Sequence, residues 1–319
     1  MRRREFIAGL ASAAAWPPTA RAQSASRRYR IGVLDTSARQ LNANFRAFQQ
    51  ALLEHGYVEG QNLSFEYRSA DGRNESFAAL AAELARLDVD LIVTRGTPAA
   101  LAAKAATATI PVVMAAVGDP LAVVRGAGNL TGFGANLQGA EARRVETLNA
   151  MLPKVARIAA LMNLSNPSRQ SEWREIDATA RSLGIEPQVL DTRTVADIER
   201  SFDAAARQHA DALVVGSDTV VQTNQSLVVE LAAAHRLPAI YTFRDFVDAG
   251  GLVSYGVSLP DLYRRAAASA DKILKGARPL ELPVEAATGS ELVVNLKAAK
   301  ALGLSLPEAF LSRADAVIK

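Results

Sequence analysis

The chain has 319 residues, 36 Lys and Arg against 33 Asp and Glu, three His and no Cys. The missing cysteine excludes a disulfide framework, a thiolate nucleophile and lipid attachment at a cysteine. A formal net charge of +3 with no basic stripe argues against a nucleic-acid partner, and 49% hydrophobic residues supply core for two domains of about 150 residues each.

The first stretch, "MRRREFIAGLASAAAWPPTARAQ", reads as a cleavable export signal. Three arginines precede a short alanine-rich apolar segment, which closes on the small-x-small site Ala20-Arg21-Ala22. The apolar segment is too short to span a bilayer. Arg3-Arg4-Glu5-Phe6-Ile7 resembles the twin-arginine signal, and an ordinary secretory signal with a basic start is the alternative. Removal of 1–22 takes away four arginines and one glutamate, leaving 32 basic and 32 acidic residues. The expected product is soluble in the periplasm of a Gram-negative bacterium, cleaved near Ala22.

Beyond residue 28 the pattern alternates between short apolar runs and helical spacing. Strands are predicted at 29–35, 63–70, 90–96, 111–117 and 129–136, with helices at 42–57, 75–88 and from Thr97-Pro98 between them. The rhythm restarts with helices at 141–152, 171–184, 196–210 and 225–237, and strands at 157–163, after Gly184, at 211–218 and at 239–243. A strand at 250–256 and a long helix at 259–276 follow. Such alternation predicts parallel sheets covered on both faces. Two successive runs predict two doubly wound lobes, with ligands at the carboxyl ends of the strands and in the cleft between sheets.

The whole chain resembles the periplasmic substrate-binding proteins of ABC transporters. The likeness rests on "ALLEHGYVEGQNLSFEYRSADGR", "DLIVTRGTPAALAAK", "PVVMAAVGDP", "HRLPAIYTFRDFVDAGGLVSYG", "LPDLYRRAAASADKILKG" and "ELVVNLKAAKALGL", together with "RRREFI". It is similar to the group whose better understood relatives bind aromatic amino acids such as tryptophan or tyrosine. The resemblance implies a type I periplasmic-binding-protein fold, α/β, with two Rossmann-like lobes and multiple hinge crossovers. Lobe 1 is expected at 29–136 plus 250–279, and lobe 2 at 137–249 plus 280–319. It further implies a small organic ligand, an amino acid or related carboxylate, handed to an ABC permease by a monomer with no cofactor. A sensor subunit for a membrane signalling partner and an exported α/β enzyme are the alternatives. One stretch departs from the family: 120–129 is shorter than usual and lacks a "PGGN" turn.

Candidate ligand-binding residues sit at the predicted strand ends. At Thr94, Gly96 and Thr97 a helix start offers free N–H groups and positive potential to a carboxylate, with plain capping by Thr97 as the alternative. Asp35, Thr36 and Ser37 end the first strand and either touch ligand or start a helix. Val117 and Gly118 end the fourth, where glycine permits close backbone approach. In the second lobe Asn163, Ser165 and Asn166 are ligand donors and acceptors or a turn. Ser217 and Asp218 follow the strand at 211–218; Asp218 is either an ammonium partner or a helix cap. Tyr241 and Phe243 either stack on a flat ligand or pack the hinge. His55, His209 and His235 lack metal-ligand spacing, no serine lies in G-x-S-x-G, and "GFGANL" lacks the dinucleotide fingerprint.

Overall fold

The computed structural model describes residues 27–39 and 42–319; the export signal expected at 1–22 lies outside them. The first run comprises β1 (Tyr29–Asp35), α1 (Ala43–Glu54), β2 (Leu63–Ser69), α2 (Phe77–Arg86), β3 (Leu91–Arg95), α3 (Thr97–Ala106), β4 (Val112–Val117), α4 (Pro120–Val124) and β5 (Leu130–Gly134). The second comprises α5 (Ala140–Met151), β6 (Arg157–Met162), α6 (Pro167–Ser182), β7 (Glu186–Asp191), α7 (Val195–Arg207), β8 (Ala212–Val215), α8 (Thr219–Thr223), α9 (Gln225–Ala234), β9 (Ala239–Tyr241), α10 (Arg244–Asp248) and β10 (Val253–Gly256). The chain then runs through α11 (Leu259–Leu274), β11 (Val284–Glu285), β12 (Glu291–Asn295), α12 (Leu296–Ala301), α13 (Glu308–Leu311) and β13 (Ala316–Ile318).

Two sheets result, ordered β11-β5-β4-β3-β1-β2 and β13-β12-β10-β9-β8-β6-β7. Each is covered on both faces by helices, so strands such as β4, Val-Val-Met-Ala-Ala-Val, are buried along their whole length. The two faces of the first sheet are separate apolar clusters, one around Phe45, Phe48 and Tyr263, the other around Leu84, Ile92 and Met114. The second sheet repeats the arrangement around Ile158 and Val214 on one face and Phe202 and Leu213 on the other. All pairings are parallel except β10 with β12, a departure from the all-parallel expectation. No helix among the described residues is long and apolar enough to cross a membrane.

Two boundaries differ from expectation. Expected on the first lobe, 250–256 instead forms β10, whose Val253 and Ser254 pair with Ile240 and Tyr241 in the second sheet. The short helix α10 lets the chain re-enter the same sheet before it crosses. Helix α11 then packs against α1 and β4 of the first sheet. The segment from 280, expected on the second lobe, adds an edge strand to the first: Val284 and Glu285 pair with Gly132 and Phe133. The chain therefore crosses between sheets at 135–139, 257–258 and 286–290. The shortened segment after Asp119 is α4, capped by the Asp119 carboxylate, which accepts the Ala122 N–H at 3.0 Å.

Each sheet has a topological switch. In the first, β1 leads outward to β2 while β3 lies on its other side; in the second, β6 stands between β7 and β8. Loops after such strands diverge to opposite faces and leave a crevice at the carboxyl ends. Asp35–Ser37 and Arg95–Thr97 flank the first crevice, Asn163–Asn166 and Ser217–Asp218 the second.

Candidate functional site

The wall from the first sheet begins where β3 stops. Gly96 turns out of the strand at φ +84, a conformation that favours glycine, and its N–H donates to the Ala116 carbonyl at 2.8 Å. Gly96 is the N-cap of α3, so Thr97 does not take the capping part that was the alternative for it. The Thr97 hydroxyl instead accepts the Gly118 N–H at 3.1 Å and lies 3.3 Å from the Ser168 hydroxyl. Between Thr94 and Gly96 stands Arg95, 7% exposed. It donates to Gln222 Oε1 at 2.8 Å, and its other terminal nitrogen lies 3.9 Å from Asp35 Oδ1. Asp35 organises this loop: it accepts the Thr36 N–H at 2.7 Å, Asn42 Nδ2 at 2.8 Å and the Tyr263 hydroxyl at 2.7 Å. Burial, then the Asp35 charge, holds the Tyr263 phenol well above its ordinary pKa, so it stays a donor.

The wall from the second sheet is built on Asp218, 4% exposed at the start of α8. Its Oδ1 accepts Asn163 Nδ2 at 3.0 Å and Asn74 Nδ2 at 3.4 Å, and its Oδ2 accepts Asn166 Nδ2 at 2.9 Å. It makes no capping bond. All three donors are neutral amides, so a buried carboxylate is hydrogen-bonded but not charge-compensated by them. Asn166 in turn caps α6, accepting the Ser168 N–H.

Between the walls is a cavity of about 40 Å³, lined among others by Arg95, Gly96, Thr97, Gly118, Asp218 and Phe243. A second space of about 360 Å³ opens beside it, and both share Arg95 and Gln222. Hydrogen bonds tie the lobes across the cleft: Arg95 to Gln222, Asn74 to Asp218, Asn44 to Asp245 at 2.8 Å, and Thr223 to the Thr36 carbonyl at 2.9 Å. The lobes also approach at Gly118, where a Cβ would lie 2.5 Å from Ser168 Oγ and 2.9 Å from Ser168 Cβ. Glycine at this position leaves room for Ser168.

Behind the cavity lies a buried charge cluster at the hinge. Arg169, which lines the cavity, contacts Glu172; Arg144 contacts Glu141. Glu172 accepts Asn136 Nδ2 at 2.6 Å, and Arg144 donates to the Tyr255 carbonyl at 2.9 Å, so the cluster touches the crossing at 135–139 and the end of β10 that leads into the next. Burial pushes the Glu172 carboxyl up to about 8; Arg169 opposes this and Glu141 reinforces it.

Of the residues singled out in sequence, Thr36, Gly96, Thr97, Val117, Gly118, Asn166, Ser217, Asp218 and Phe243 line the cavity, and Ser37 lines the space beside it. Asn163 supports Asp218 from behind, and Ser165 donates to Asn163. Asp35 is consumed by its own loop. Thr94 is buried away from the cavity, its hydroxyl without a partner among the described residues. Tyr241 points into the core with Leu213 and Val215 and stacks on Phe246 at 4.9 Å, because strand alternation turns it from the cleft. Sequence reasoning passed over Arg95, Arg169, Ser168, Gln222 and Asn74. Arg95 had a signal, a charged residue at the end of an apolar strand. Gln222 and Asn74 had none, since their partners lie 127 and 144 residues away.

A family model described as ABC transporter substrate binding protein matches residues 33–318. The structure is similar to an ABC domain from Streptococcus pneumoniae solved in complex with L-Trp, at TM-score 0.82 and 27% identity, covering 91% of this chain and 100% of that one. A conserved domain protein from Vibrio cholerae is similar at TM-score 0.83 and 27% identity over the same shares. A tyrosine-binding protein from Clostridioides difficile is 24% identical over 265 residues, 81% of this chain and 76% of that protein.

Proposed function

This chain belongs to the ABC transporter substrate binding protein family, and on that premise we propose that it is a periplasmic receptor that delivers an amino acid, or a closely related carboxylate, to an inner-membrane ABC importer. The relatives that take L-Trp and tyrosine make aromatic amino acids the first candidates. Phe243 and Leu259 give the cavity an apolar side.

One observation carries the reading: Asp218 is a buried carboxylate fixed by three neutral amides, facing a cavity whose opposite wall is the start of α3. An uncompensated buried anion is costly, and a ligand ammonium would relieve it. The opposite wall, with its helix start, favours the ligand's carboxylate. A zwitterion satisfies both walls only when the lobes are closed, so binding selects the closed state. The work of the site is recognition and closure, with no bond made or broken. Mass spectrometry of small molecules released from the purified protein, followed by calorimetry with the free amino acids, tests the reading. Recovery of an amino acid that binds stoichiometrically is expected; a neutral sugar as the released ligand would sink it.

A further inference from the structure

We propose that Arg95 is the charge partner of the ligand's carboxylate and the latch that joins this recognition to lobe closure. The inference rests on the amino-acid reading above and adds the residue that decides which end of the ligand each lobe holds. Arg95 is buried, lines the cavity and ends β3, beside Gly96 and the start of α3, which already favour an anion. Its guanidinium presents five N–H donors in a rigid fork, and the one side-chain hydrogen bond it makes among the described residues goes to Gln222. Asp35 is its nearest acid, but at 3.9 Å it balances charge without filling the fork, because its oxygens are taken by Tyr263, Asn42 and the loop. The other arginine at the cavity, Arg169, is in contact with its own carboxylate, Glu172. Arg169 stands on α6 of the second lobe and keeps a buried Nε without a partner among the described residues, but Arg95 is the cation with spare donors on the wall where the start of α3 already favours an anion, and a carboxylate is the planar group that matches them two at a time.

The latch follows from where Gln222 sits. It belongs to α8 on the opposite lobe, four residues after Asp218, so the bond from Arg95 exists only with the cleft closed. A carboxylate that fixes the guanidinium also presents it to Gln222. The same helix then carries the ammonium partner and the latch acceptor, and the ligand's two charged ends report to one moving element. This makes the α-carboxylate obligatory: amines that share the ligand's side chain are predicted to be rejected.

The test is calorimetry on the exported protein with L-tryptophan and L-tyrosine, the amines tryptamine and tyramine, and the deaminated acids indole-3-propionate and 3-(4-hydroxyphenyl)propionate. Wild-type protein is expected to bind an amino acid at least about 100-fold more tightly than its amine, and Arg95→Gln to lose about 100-fold or more on the amino acid. Arg95→Lys, which keeps the charge and loses the fork, should lose about tenfold, and Gln222→Ala about fivefold with a less compact ligand-bound form by small-angle X-ray scattering. If Arg95→Gln fails to fold, Arg95→Lys and Gln222→Ala decide. Amino-acid binding that Arg95→Gln, or in its place Arg95→Lys, leaves within about threefold of wild type overturns the proposal and spares the amino-acid reading. Binding of deaminated acids, abolished by Arg95→Gln, with no binding of amino acids, overturns that reading and spares Arg95. Amines bound as well as amino acids, or no carboxylate bound at all, overturns Arg95.

Discussion

On the wall from the first sheet, the groups at the cavity are mostly backbone and small side chains: Gly96, Thr97, Val117 and Gly118, held close to the ends of β3 and β4, with Arg95 the one long side chain. On the wall from the second sheet they are mostly side chains on the first turns of α6 and α8, among them Asn166, Arg169, Asp218 and Gln222. The first wall can be approached closely because so little projects from it. The second projects and supplies the anion. Closure works because the projecting wall docks on the bare one, as Ser168 does over Gly118. Substitutions on the two walls should therefore fail differently: on the second by losing charge, on the first by losing room.

Arg95 aside, Asp218→Asn should give the largest effect. It removes the anion while leaving three amide donors, from Asn74, Asn163 and Asn166, aimed at a neutral group. Loss of a charge-assisted bond costs about 1.5–3 kcal/mol, and with the lost ion pairing zwitterion affinity should fall by about 100-fold. Ligands without an amino group should be spared. Equal losses for both ligand classes, measured by calorimetry, would show that Asp218 shapes the wall and does not read charge.

Gly118→Ala should come next. The added carbon meets Ser168 of the other lobe at 2.5 and 2.9 Å and only the Thr97 hydroxyl of its own, at a milder 3.2 Å, so the fold should lose little melting temperature while affinity falls by about 30-fold. Ser168→Gly added to Gly118→Ala removes the colliding atoms and should recover most of the loss. A double mutant no better than Gly118→Ala would place the fault inside the first lobe.

Thr97→Val mixes both kinds of failure. It strands the Gly118 N–H, which Thr97 accepts at 3.1 Å, at a cost of about 1–3 kcal/mol to the fold, and it weakens binding by about tenfold. Thr97→Ser keeps the hydroxyl and should behave as wild type. A Thr97→Val protein with unchanged affinity but a lowered melting point would leave Thr97 with a purely structural part.

The strand–helix alternation was legible because both sheets are buried on both faces, so β4 reads as an unbroken apolar run and β1 and β6 as mostly apolar ones. Polar residues just past those runs, Thr97, Gly118, Asn166 and Asp218, stood out for the same reason. Arg95 is the last residue of a strand, and the helix start directly after it carries the stronger local signal. Arg169 and Glu172 lie on a helix rich in polar residues, with no local pattern that marks them as buried, yet both are buried against the hinge. Tyr241 was misplaced because an aromatic at a strand end has two faces to choose from, and only the register with β8 and β10 selects one. Cross-lobe pairs such as Asn44 with Asp245 join elements about as far apart as the lobes themselves and leave no local pattern. The return crossing was placed too early for a similar reason: β10 is apolar like any strand, and nothing in its residues names its sheet.

The smallest effect separates the walls by their response to pH. The cation of the first wall does not titrate in the useful range: burial lowers the Arg95 guanidinium, but the acidic groups around it, Tyr263 and Asp35 first, outweigh that and leave it above its already high ordinary value. Behind the second wall Glu172 does titrate, raised from 4.5 to about 8 chiefly by burial. The groups that face it are Arg169 on its own helix, Glu141 and Arg144 on α5, and the neutral Asn136 at the crossing. A carboxyl with a raised folded pKa binds its proton more tightly in the native state, so its contribution is fully present below 4.5 and is lost as pH rises through about 8. Wild-type melting temperature should therefore carry a component that declines across this window. Glu172→Gln keeps an oxygen for Asn136 and cannot ionise, so it should flatten that component and melt higher than wild type on the alkaline side. If wild type and Glu172→Gln instead show parallel melting profiles from about pH 5 to 9, Glu172 is ionised throughout, paired with Arg169, and the second wall is as insensitive to pH as the first.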